Sequence, residues 1–85
     1  MNKIYNLCDL SVGERGTVIS VSDKNPIKRR LLDIGLIDGT RVCCTMQSPG
    51  KDMNAYLIRG AVMAIRNCDC VGIFITKEGS ENGIN

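Results

Sequence analysis

The alternation of apolar and polar side chains divides this chain into short segments. Residues Gly16 to Ser22, Gly-Thr-Val-Ile-Ser-Val-Ser, are rich in β-branched side chains and open on the Gly13/Gly16 pair, which predicts a strand entered from a turn. From Thr40 to Gln47 the period is two: Val42, Cys44 and Met46 alternate with Arg41, Cys43, Thr45 and Gln47, as in a half-buried strand. Asn54 to Arg59 and Ala61 to Arg66 are two further apolar runs with only Gly60 between them. The chain there either makes a very tight hairpin or bends through a glycine kink. Val71 to Thr76 predicts the last strand, with Val71, Ile73 and Ile75 on one face and Phe74 on the other.

After the first strand the period changes. Asp23-Lys24-Asn25-Pro26 carries turn and helix-start signals, because Asn25 can cap and the N–H that proline lacks is not needed in a first helical turn. Ile27, Leu31 and Ile34 then share one helical face, and Gly35 stands where a left-handed C-cap belongs. The spacing predicts a helix over 26–34. Leu7 and Leu10 predict a short capping segment docked on the core. Ser48-Pro49-Gly50-Lys51-Asp52 reads as a loop and Asn67-Cys68-Asp69 as a turn. About five short strands with one short helix after the first favour a mostly β fold, a small barrel closed or nearly so, over a sheet with bare edges. One domain is expected over 1–76, followed by a polar, glycine-rich tail, 77–85, expected to be disordered.

Length and composition narrow the picture further. At 85 residues, 44% of them hydrophobic, the chain can build a single core. Eleven basic and nine acidic residues give a net charge of +2, too balanced to draw in nucleic acid. No run approaches the roughly 18 apolar residues that span a bilayer, so direct membrane insertion is not expected. The start of the chain shows no secretion signal, which points to the cytoplasm. There, the odd count of five cysteines fits reduced thiols better than a disulfide framework.

The same residues exclude most catalytic chemistry. Without a histidine, Ser-His and Cys-His constellations cannot form, and no glycine string matches a phosphate-binding loop. No enzyme activity and no cofactor are expected. Cys43, Cys44, Cys68 and Cys70 are the sharpest alternative, since four thiols brought together would hold a soft metal tetrahedrally and make the chain a metal carrier or a redox-responsive protein. Against this, neighbours such as Cys43 and Cys44 on one strand point to opposite faces, and Cys44 reads as a small core hydrophobe. Met46, Met53 and Met63 read as core filling rather than as thioether ligands.

The helix and the turn after it carry a binding hypothesis. Arg29, Arg30 and Asp33 supply charge-assisted hydrogen bonds for a rim, and Leu32 and Leu36 an apolar centre, wherever the core does not claim them. In the plainer reading the leucines close one barrel end and the arginines are solvated.

The string Arg29-Arg30-Leu31-Leu32-Asp33-Ile34-Gly35-Leu36-Ile37-Asp38-Gly39-Thr40-Arg41-Val42 resembles the pattern of the ferrous iron transport protein A (FeoA) family. Leu10 to Val18 before it, and Tyr56 to Arg66 after it, resemble that family's opening turn and its paired strands around Arg-Gly. The resemblance implies an SH3-like barrel. It also implies a cytosolic accessory protein of bacterial ferrous iron uptake, which docks on the cytosolic GTP-binding region of the FeoB membrane permease and modulates transport. A weak homo-oligomer stays open at this point.

Overall fold

In the computed structural model, which describes residues 3–78, β-branched and alternating segments form six strands around one short helix. In chain order they are β1 (Tyr5–Asn6), β2 (Arg15–Val21), α1 (Lys28–Asp33), β3 (Arg41–Gln47), β4 (Met53–Ile58), β5 (Ala61–Arg66) and β6 (Ile73–Glu78). Short 3-10 turns at Leu7–Asp9 and Asn67–Asp69 complete the element list. The strands form one antiparallel sheet in the order β1-β6-β2-β3-β4-β5, curled around its core but not closed, with β1 and β5 as its edges. The inward face supplies Val18, Val42, Tyr56, Ile58, Ile65, Ile73 and Ile75, which pack with Leu7, Leu10, Leu31 and Leu36. Among the described residues no helix is long and apolar enough to cross a membrane.

The tight-hairpin reading of β4 and β5 is the one realised. Arg59 and Gly60 both have positive φ (50° and 84°), the requirement of a two-residue type I′ turn, and Ile58 therefore pairs directly with Ala61. The helix ends as expected, with Gly35 left-handed at φ 93°. The Leu36 N–H reaches the Leu31 carbonyl at 2.9 Å and the Gly35 N–H the Leu32 carbonyl at 3.0 Å, a Schellman closure that folds Leu36 back beside Leu31.

Two expectations for the helix are corrected. The helix is shorter than 26–34, and Ile34, assigned to its inner face, is 37% exposed because Leu36 takes the core position instead. Asn25 caps the turn before the helix: its Oδ1 accepts from the Ile27 N–H at 2.9 Å, while its Nδ2 donates to the Asp69 and Val71 carbonyls, each at 2.8 Å. Met46 is exposed rather than core, since a bulge between Cys44 and Met46 interrupts the period of two. Val71 is exposed as well; Gly72, at φ 82°, turns the chain before β6 begins at Ile73. β1 was not expected from the pattern. Lys77 and Glu78, assigned to the tail, extend β6 through pairing with Gly16 and Arg15, and the rest of the predicted tail, 79–85, lies outside the described residues.

Candidate docking surface

The sheet register decides which polar side chains share the outer face. Glu78 lies opposite Arg15, Arg15 opposite Cys43, Cys43 opposite Leu57 and Leu57 opposite Val62, so one row crosses β6, β2, β3, β4 and β5. Arg41 stands two positions before Cys43, and Arg59 follows at the hairpin turn. Arg15, Arg41 and Arg59 thereby line a cleft of about 490 Å³ whose floor includes Val42 and Leu57. Its one carboxylate is Glu78, 3.9 Å from Arg41 Nε and 3.5 Å from the Thr17 hydroxyl that donates to it. Three guanidinium groups against one carboxylate make the cleft a place for anionic groups.

The helix presents the residues expected of it, with one exception. Arg29, Arg30 and Asp33 are exposed, Leu32 is 42% exposed, and Lys28, Arg29, Leu32 and Asp33 surround a shallow concavity. Leu36, expected in the apolar centre of this surface, is instead wholly buried by the Schellman closure and belongs to the core. Between the helix end and β5 runs a small apolar groove of about 260 Å³, lined by Ile34, Ile58, Ala61, Val62 and Met63. Arg59, which lines the arginine cleft, also packs its side chain on Gly35 at the end of the helix.

The cysteines are dispersed. Cys43 is half-buried on the outer face, Cys44 is buried on the inner one, Cys68 is exposed and Cys70 is buried. Among the described residues no three Cys, His, Asp or Glu side chains are grouped so as to hold a metal ion. Burial raises the Cys44 thiol above its ordinary value and pushes Cys70 up to about 12; Cys8 is also raised, by burial first and then by the Asp9 charge. Thiols held protonated in this way are poor metal ligands and poor nucleophiles.

The arginine cleft and the β5 edge are the parts of this surface that the sequence reading missed. The available signal was Arg59-Gly60 between two apolar runs. A two-residue hairpin there fixes the register of β4 and β5, and with it the face on which Arg59 and Leu57 lie.

A curled six-stranded antiparallel sheet with one short helix defines a small SH3-like β domain. The FeoA domain matches residues 5–77, and the chain belongs to the FeoA family. Among solved structures it is similar to the FeoA-like protein of Clostridium acetobutylicum, with 21% identity over 94% of this chain and 93% of that one and a TM-score of 0.84. It is similar to the FeoA protein of Chlorobium tepidum, with 26% identity, 94% and 76% coverage and a TM-score of 0.82. A third similar structure is Stenotrophomonas maltophilia FeoA complexed with zinc, described as a prokaryotic SH3 domain protein and a candidate ferrous iron transport activating factor. There the identity is 21%, the coverage 85% and 88%, and the TM-score 0.71. No curated protein matches the chain.

Proposed function

We propose that this protein is a non-catalytic accessory factor of bacterial ferrous iron uptake, acting in the cytoplasm by docking on the cytosolic GTP-binding region of a FeoB-like permease. The observation that carries the reading is the match of residues 5–77 to the FeoA domain. Support comes from the surface: a helix that keeps Leu32 exposed between charged neighbours, beside an apolar groove and an arginine cleft, has the apolar centre and polar rim of a transient interface. Iron is the permease's cargo in this scheme, and the chain's own part is contact. Its arginines meet carboxylates on the permease region, while Leu32 and the groove exclude water from the centre of the contact.

Crosslinking of the purified protein to the soluble cytosolic region of the permease tests the contact, and ferrous iron uptake by a deletion strain tests its consequence. The proposal expects a crosslinked pair and altered uptake. Absence of the pair together with unchanged uptake overturns it.

A further inference from the structure

We infer that the outer edge of β5 is a strand-addition site for an extended segment of another protein, apolar in its middle and acidic at its ends. The hairpin fixes which backbone groups are available. Ile58 and Ala61 flank a two-residue turn and exchange hydrogen bonds, so Ala61, Met63 and Ile65 face β4. The Asn67 N–H confirms this parity, because it continues the same series by donating to the Asp52 carbonyl at 2.9 Å. The N–H and C=O groups of Val62, Ala64 and Arg66 therefore point away from the sheet. Among the described residues no strand pairs with them.

Short of its last residue, Arg66, nothing on this edge blunts it. Sheet edges are ordinarily protected by a charge, a proline, a bulge or great shortness, yet β5 runs Ala-Val-Met-Ala-Ile-Arg in unbroken register with β4 and leaves Val62 64% exposed. A strand laid against it gains main-chain hydrogen bonds at alternate residues. The groove lined by Ile34, Ile58, Ala61, Val62 and Met63 runs alongside to receive an apolar side chain from the incoming strand.

Charge selects the occupant. The segment is bracketed by Arg59 at the turn and Arg66 at the far end, with no carboxylate from 59 to 66. Arg66 reaches Asp69 at 3.8 Å through Nε alone and is 70% exposed, which leaves guanidinium donors over. A second copy of this chain would bring another strand with arginines at its ends and, from 59 to 66, no carboxylate to meet them. A strand with acidic ends supplies both missing partners. The inference deepens the docking reading and rests on it for the partner's identity, but its test does not need that partner.

The probe is a short synthetic peptide of alternating valine and threonine with glutamates at each end, added to the isotope-labelled protein while backbone amide resonances are followed. Saturable shifts centred on Val62, Ala64 and Arg66 are expected. Binding should fall at least about tenfold when the terminal glutamates become lysines. It should vanish when the peptide is N-methylated at the residue facing Ala64, and with Ala64→Pro, which removes an outward N–H that β4 does not use. No shift at these amides overturns the inference, as does equal binding by the N-methylated peptide, which leaves the protein unaltered. Shifts at the same amides that grow with protein concentration alone would assign the edge to a second copy and overturn it too. A crosslink to the permease region that persists when the peptide fails removes this inference and spares the docking reading; peptide binding without that crosslink does the reverse.

Discussion

The side chain of Arg59 lies so closely over Gly35 that a β-carbon at Gly35 would stand 2.5 Å from Arg59 Cδ and 2.9 Å from its Nε. This contact docks the β4–β5 turn on the end of α1, at a glycine whose φ of 93° already disfavours any side chain. Gly35→Val is therefore expected to lower stability by about 2 kcal/mol or more, from left-handed strain plus displacement of Arg59. Denaturant unfolding measures it. Since the far end of Arg59 is flexible, Gly35→Ala combined with Arg59→Ala should cost less than the sum of the single changes by about 0.5–1 kcal/mol. Strict additivity would show that the contact carries no energy.

Gly16 separates steric from conformational demand. It has no positive φ, but a β-carbon there would run into the Thr76 carbonyl oxygen, and backbone paired in the β2–β6 ladder has little room to yield. Gly39 is the converse, with φ at 90° and nothing within 4 Å. Gly16→Ala should cost about 2–3 kcal/mol through overpacking and shift the amide resonances of β6. Gly39→Ala should cost about 1 kcal/mol, with no shifts beyond its own turn. Equal costs and equally local shifts in the two variants would contradict this division.

Most of the strands were legible because period and β-branching are local properties. Val18, Val42, Ile73 and Ile75 fall where alternation puts them. What was lost depends on one-residue irregularities that no periodicity reports: the bulge that exposes Met46, the Gly72 turn that frees Val71, and the Schellman closure that trades Ile34 for Leu36. β1 escaped because its two residues gain strand character only by pairing with Phe74 and Ile75, far along the chain. On the candidate surface, Arg29, Arg30, Leu32 and Asp33 could be read as one helical turn, whereas the arginine cleft exists only once β2, β3 and the hairpin are in register.

Burial of thiols predicts an alkaline loss of stability. Cys70 is wholly buried beside the Tyr56 hydroxyl, 3.9 Å away, and burial pushes its thiol up from the ordinary 9.0 to about 12. Below 9.0 both the folded and unfolded chains hold the proton, and the contribution is fully present. Above that value the unfolded chain releases it first, so stability falls as pH rises toward about 12. Tyr56, raised mainly by burial, and Cys44 and Cys8 act with the same sign. Urea midpoints followed by circular dichroism should decline across this alkaline range, with a shallower slope for Cys70→Ala. Coincident slopes for the two proteins would remove Cys70 as a source of the dependence.

The helix surface offers a last prediction, because its charges can be reversed without disturbing the core. Arg29 and Arg30 are exposed, and among the described residues neither lies within ion-pairing distance of a carboxylate. Lys28, by contrast, is engaged by Asp23, and Leu31 beside them is buried. Changing Arg29 and Arg30 together to Glu should move the unfolding free energy by no more than about 1 kcal/mol, as expected of solvated side chains without a partner among the described residues. The same variant should weaken binding to the permease's cytosolic region by at least about tenfold, chiefly through slower association, and should flatten the salt dependence of that association. Leu32→Ala should act differently, raising the dissociation rate, since an apolar centre holds a complex together once it has formed. Unfolding of the double reversal would make the arginines structural. Unchanged association and dissociation in a folded protein would move the contact off this helix.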